Sequence, residues 1–324
     1  MALPLLRPRR LLDRLDSRPV AAWGVRQLSN EYTGPLFTGL RSDGQTVQVT
    51  ADWRGYIDRA QTVAFAGGRS LDVTVAHDLT GQGRDMAFGA GNRAALLRRG
   101  FESTISDLPA VTATGTSRGS ANIPFRWSQP LVISGVIAVT TVPPASNAYI
   151  AGVDTASSVY RDCQLFIAKG SNVLGLGEDM TTLTPAAQPG LTADTVQIVT
   201  AIRNPNTSAA RGYLRVNGQT IGTFTGGSQS TTLTPGQFVT FGDPDDASAF
   251  CPSGYAWQEL IVWNGDAPPS AAAIAEVERD QGEFFNIPLY GTLAWPVQVS
   301  RKVVAFNGSQ ITTNSGLPIN FSYR

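Results

Sequence analysis

Gly254–Tyr255–Ala256–Trp257–Gln258–Glu259–Leu260–Ile261–Val262–Trp263–Asn264 is the stretch that decides the fold. Aromatic and branched apolar residues crowd it, as in a strand of a packed sheet. Pro268–Pro269 then interrupts the chain, and Ser270 is a fitting N-cap for a helix over 271–285, with Glu276 and Glu278 in its early part. Upstream lie many short apolar runs and almost no other helical pattern.

Those runs predict strands at 20–25, 46–50, 131–141, 148–153, 163–168, 195–203, 212–216, 237–242 and 255–263. Asp43–Gly44 and Asn217–Gly218 are hairpin-type turns. Regular short strands with such turns predict an all-β chain, an antiparallel β-sandwich with a β-rich N-terminal region and a short C-terminal helix plus β tail. The expected organisation is an arm at 1–20, a β-rich region associated with the sandwich at 21–119, the sandwich at 120–287, and an extension at 288–324. In the arm, Leu5, Leu6, Leu11, Leu12 and Leu15 recur at near-helical spacing up to Pro19 and predict an amphipathic segment, either a packing helix or an anchor that orders on assembly. The extension carries Trp295, Phe306, Phe321 and Tyr323, which need a partner surface.

The 324 residues include 33 Gly and 20 Pro, and only 15% are charged, as in a turn-rich β protein. Formal net charge is zero, so no field steers the chain to nucleic acid. The basic residues are almost all arginine, with lysine at 169 and 302; arginine suits planar interface contacts, and a high-GC genome explains the same bias. Cys163 and Cys251 make neither a disulfide scaffold nor a metal spacing; they could meet across the sandwich, but unpaired buried thiols are the favoured reading. No apolar run approaches the ~20 residues that span a bilayer, so no membrane insertion is expected. Arg7, Arg9, Arg10 and Arg14 interrupt any secretion-signal core.

Two resemblances rest on particular residues. The strand 254–264 with its trailing helix, and the hairpin Tyr213–Leu214–Arg215–Val216–Asn217–Gly218–Gln219, resemble concanavalin A-like (laminin-G-like) jelly rolls over about 120–287. Ala21–Ala22–Trp23–Gly24–Val25–Arg26–Gln27–Leu28–Ser29–Asn30–Glu31–Tyr32–Thr33–Gly34–Pro35 is similar to the "AYSLRKLSSSYTGPA" opening of phage fibre-like proteins and of the arabinofuranosidase B-like catalytic module. That family continues with "WYDQSGNGRDA". Here Val75–Ala76–His77–Asp78–Leu79–Thr80–Gly81–Gln82–Gly83–Arg84–Asp85–Met86 keeps the glycines, Asp78, Arg84 and Asp85, while Ala76–His77 replaces Trp–Tyr.

Glycosidases need two carboxyl groups about 5–9 Å apart. Glu259, read on one strand face with Trp257 and Trp263, and Glu178–Asp179 in a Gly-rich loop are the candidates. A strand glutamate capped by backbone or arginine is the expected role of Glu259, and no catalytic acid of the arabinofuranosidases can be carried onto this chain. Asp243, Asp245 and Asp246, on a Pro-containing turn, could hold Ca²⁺ through oxygen ligands or form an ordinary solvated turn; no other cofactor is expected. His77, the single histidine, is adjacent to Asp78, but neighbours on a strand face opposite ways, so packing is its expected job. Of the aromatic residues, Trp257 and Trp263 are expected in the core, as is common in sandwiches. Tyr149 and Tyr160, near loop ends, are the candidate glycan-binding residues.

The resemblances imply a virion structural protein of a tailed phage or gene transfer agent, of head-spike, fibre or tail-associated type. Its expected partners are capsid, fibre or tail subunits, with host surface polysaccharide as a ligand, homo-oligomeric assembly and release by lysis. The alternatives are an arabinofuranosidase-like glycoside hydrolase and a structural adaptor that binds only protein.

Overall fold

A computed structural model describes residues 10–97, 108–126, 129–139, 144, 146–154, 163–167, 174–178, 181–183, 191–204, 212–224, 236–242, 250–266 and 269–290. Residues 1–289 form one compact unit and residues 290–324 a second. Trp295, Phe306, Phe321 and Tyr323 lie outside the described residues.

The elements are β1 (Ala21–Gly24), β2 (Phe37–Arg41), β3 (Thr46–Val49), α1 (Arg59–Ala66), β4 (Leu71–Ala76), β5 (Met86–Phe88), β6 (Ala94–Leu97), β7 (Val111–Thr112), β8 (Gly119–Ile123) and β9 (Leu131–Val139). They continue with β10 (Ala148–Asp154), β11 (Cys163–Ile167), β12 (Leu174–Glu178), β13 (Thr181–Leu183), β14 (Thr195–Arg203), β15 (Gly212–Val216), β16 (Gln219–Phe224), β17 (Gly236–Thr240), β18 (Tyr255–Asn264) and α2 (Ala271–Phe285).

The antiparallel ladders form two runs. One is β16–β15–β14–β9–β18, with β1 and β7 sharing the far edge of β18. The other is β13–β12–β11–β10–β17–β8–β5–β4–β2–β3. β6 pairs with β4 and β7 and so joins the runs. Side chains meet between them: Trp23 of β1 stacks on Phe238 of β17 at 5.1 Å, and Phe37 of β2 lies 6.4 Å from Trp257 of β18. This is the antiparallel sandwich that the strand spacing predicts. Each large apolar side chain buried here contributes about 1.5–3 kcal/mol relative to exposure.

Short strands alternate as one-sided strands do: β15 buries Gly212, Leu214 and Val216 and leaves Tyr213 and Arg215 half-exposed. β9 and β18 are buried throughout, because α2 covers the face turned away from the other layer. The Asn217–Gly218 turn has φ of 47° and 82°, the left-handed pair that a two-residue hairpin requires. Ser270 caps α2, its Oγ accepting from the Ala273 N–H at 3.1 Å. The sequence reading missed α1, a two-turn helix capped by Asp58 and closed by Gly67 in the left-handed conformation.

The 21–119 strands are built into this sheet. β1 and β7 complete β18, and β8 pairs all along β17. A fragment starting at residue 120 would lack β1 and β7 and bare the far edge of β18.

The arm departs from expectation. Its described part, residues 10–20, contains a turn and no α-helix. Asp13 accepts from the Arg10 and Asn30 N–H groups at 3.2 and 3.0 Å, which fixes that turn. Leu12 donates to the Leu28 carbonyl at 2.9 Å, and Leu11 is buried in the core. The segment therefore orders against its own chain.

Candidate functional site

The loop 77–85, whose sequence carries the second resemblance, is organised by Asp78. This carboxylate is buried, and it accepts from the Ala22 N–H at 3.2 Å, the Thr80 N–H at 3.0 Å, the Thr80 hydroxyl at 2.8 Å and the Arg84 N–H at 3.2 Å. Gly81 and Gly83 have φ of 74° and 72°, a backbone that a side chain would strain. Arg84 donates to the Val20 carbonyl and accepts from Trp23 Nε1 on its own carbonyl. The shared motif residues thus clamp the loop to β1.

His77 does not meet Asp78. Its Nδ1 lies 2.9 Å from Asp85 Oδ2, and its Nε2 lies 2.9 Å from Thr38 Oγ1. Asp85 Oδ1 accepts from the Asp78 N–H at 2.8 Å, so one carboxylate fixes both loop and ring. His77 is therefore a hydrogen-bonded residue where packing alone was expected; Asp85, eight residues on, is brought to it by the glycine turns. Beside them, burial chiefly, with Asp85 and Asp78, pushes the Tyr32 phenol up to about 12.

Glu259 lies in a second polar cluster. A register shift between Trp257 and Glu259 pairs Trp257 with Ile137 and Glu259 with Val136, leaving Gln258 as the extra residue of a bulge. Trp257 then turns to Phe37 in the other layer, and Glu259 turns to α2. The expectation that both share a face is overturned by that single inserted residue. Glu259 is fully buried; its Oε2 accepts from Arg26 Nε at 2.7 Å and its Oε1 from Gln281 Nε2 at 3.1 Å. Arg26 also reaches Asp280 at 2.5 Å and lies over the Phe284 ring at 4.3 Å. Burial opposes the Arg26 charge, but Glu259 and Asp280 outweigh it and hold the guanidinium above its ordinary value. Nearby, the buried carboxylate of Glu278 takes Arg215 through two contacts of 2.8 Å. Glu259 is thus the arginine-paired strand glutamate, closed off from any substrate.

Tyr149 is half-buried on β10, 6.2 Å from the Phe166 ring. Trp257 and Trp263 are buried, as expected of core residues. Tyr160, Asp243, Asp245 and Asp246 lie outside the described residues, as do Asp179 and the side chain of Glu178. Among the described residues no group of three or more His, Cys, Asp or Glu side chains is placed to hold a metal. Cys251 is a free thiol, which burial pushes well above its ordinary value. The sequence reading passed over Trp53, the most exposed large apolar side chain among those described, at 88%. Its signal was a tryptophan inside the turn-forming Asp52–Trp53–Arg54–Gly55.

No protein-family model matches the chain, and no curated protein matches it. Solved structures do. A glycoside hydrolase family 54 α-L-arabinofuranosidase soaked with a cyclic sulfate inhibitor matches with TM-score 0.63 and 12% identity, over 83% of this chain and 63% of that one. An arabinofuranosidase complexed with arabinofuranosyl-α-1,2-xylobiose matches with TM-score 0.62 at 12% identity over the same shares. The protein therefore has the β-sandwich fold of these glycoside hydrolases, and it spans less than two thirds of their length. The virion reading draws no support from these comparisons.

Proposed function

We propose that this protein is carbohydrate-active: an arabinofuranosidase-like glycoside hydrolase whose ligand is a polysaccharide bearing arabinofuranosyl branches. The observation that carries this reading is the fold match to arabinofuranosidases across 83% of the chain. It is an argument from fold to function by analogy. The 21–35 and 75–86 segments, similar to the catalytic module of the same enzymes, support it from the sequence side.

Hydrolysis needs two carboxyl groups flanking the glycosidic bond. Glu259 and Glu278 are committed to Arg26 and Arg215; of the acids singled out in the sequence, Glu178, Asp179, Asp243, Asp245 and Asp246 are then the ones to test. The assay is release of L-arabinose from 4-nitrophenyl α-L-arabinofuranoside, arabinan and arabinoxylan by the full chain. Turnover that is lost in Glu178→Gln, Asp179→Asn, Asp243→Asn, Asp245→Asn or Asp246→Asn and kept in a folded Glu259→Gln supports the reading. Turnover absent from the wild type rejects hydrolysis.

The burial of Glu259 in an ion pair with Arg26 favours a second reading, polysaccharide binding without hydrolysis. Saturable binding of arabinoxylan with no product after prolonged incubation would select it.

A further inference from the structure

Asp52, Trp53, Arg54 and Gly55 form a turn that is fastened from several sides. Asp52 accepts from the Arg54 and Tyr56 N–H groups at 2.9 and 3.0 Å, and its carbonyl accepts from the Gly55 N–H at 2.8 Å. Gly55 has φ of 84°, and its carbonyl accepts from the Gln27 N–H at 2.8 Å. Arg54 is gripped by Asp52 Oδ2 through Nε at 3.0 Å and Nη2 at 2.9 Å. Its guanidinium sits 5.2 Å from the Tyr56 ring and 5.6 Å from the Trp53 ring. Tyr56 in turn packs edge-on against Phe284 of α2 at 5.0 Å. The turn is anchored to the core, yet it holds a tryptophan 88% in solvent.

Fully hydrated indole is costly, since burying such a side chain is worth kilocalories. A protein interface would surround it with further apolar groups. Here Val63 and Tyr290 are the other exposed large apolar side chains among those described, and the flanking residues Asp52 and Arg54 are charged. A single flat apolar face with a charged, hydrogen-bonding edge fits a small ligand of the same make-up. A sugar ring has it: one face of C–H bonds and a rim of hydroxyls. Arg54 Nη1 makes no hydrogen bond among the described residues and is free to donate to such a hydroxyl.

We propose that Trp53, with Arg54 beside it, is a surface site that stacks one sugar ring of a polysaccharide. This rests on the carbohydrate reading above and adds to it a binding residue, Trp53, that is not itself one of the candidate catalytic acids. Because the turn is pre-ordered, little conformational entropy opposes binding.

The test is titration of the full-length wild type, Trp53→Ala and Trp53→Phe with arabinan, arabinoxylan and unsubstituted xylan, each variant first shown to keep the wild-type melting temperature. Binding of at least one polymer, weakened about tenfold or more by Trp53→Ala and partly restored by Trp53→Phe, supports the site. Equal binding by wild type and Trp53→Ala overturns it and leaves the carbohydrate reading standing. Binding of no polymer by the wild type overturns both. A concentration-dependent self-association that Trp53→Ala abolishes, with sugar binding unchanged, makes the turn a protein contact and likewise overturns the site.

Discussion

Arg26 and Glu259 stand 233 residues apart in the chain and meet as a buried ion pair, with Nε 2.7 Å from Oε2. The pair ties β1's outgoing chain to β18 and, through Asp280 and Gln281, fixes α2 on the sheet. Removing one partner of such a pair strands the other charge. Glu259→Gln should therefore cost about 3–5 kcal/mol in denaturant unfolding. A folded variant with unchanged stability would show that the carboxylate is not structural.

Leu260 follows the bulge and faces the core, fully buried, close enough to Gly135 that a Cβ there would meet Leu260 Cδ2 at 2.9 Å. Leu260→Ala in the full chain should lower stability by about 2–5 kcal/mol, read from the denaturation midpoint.

Asp78 and His77 are neighbours with different duties. Asp78→Ala removes an acceptor from several buried donors and should cost about 3 kcal/mol or more, with faster amide exchange across 77–85. His77→Phe puts back an aromatic ring where the arabinofuranosidase-like motif has one, on a half-buried site. It should stay within about 1 kcal/mol of wild type. The reverse order of effects in thermal unfolding would contradict this account of the loop.

Tyr32 gives a pH prediction. Its phenol is held neutral to about 12, chiefly by burial, whereas the ordinary value is 10.0. Between these values the unfolded chain loses the proton and the folded chain keeps it. Stability is thus undiminished below pH 10 and falls as pH rises from about 10 towards 12. Tyr32→Phe should flatten that fall in alkaline denaturation curves; an unchanged slope would contradict the burial argument.

Much of the sandwich was legible because strands announce themselves by apolar content and turns by residues such as Asn217–Gly218. Ser270 likewise gave the start of α2. The placement of Glu259 was not legible. Strict alternation puts it with Trp257, and only the bulge at Gln258, set by pairing with β9, reverses that. The partner of His77 was hidden for a similar reason, since Asp85 reaches it through turns at Gly81 and Gly83. The arm's leucines suggested a helix, but Asp13 and the contact of Leu12 with Leu28 fix a turn. α1 is two turns long and weakly patterned, so its Asp58 and Gly67 caps were the remaining signal.

The most direct measurement combines binding and product analysis of the full chain with arabinan and arabinoxylan, followed by chromatography for free L-arabinose. A carbohydrate-active protein of this fold should bind at least one of the two polymers saturably and release arabinose from it. Folded protein that neither binds nor cleaves either polymer would contradict the central claim.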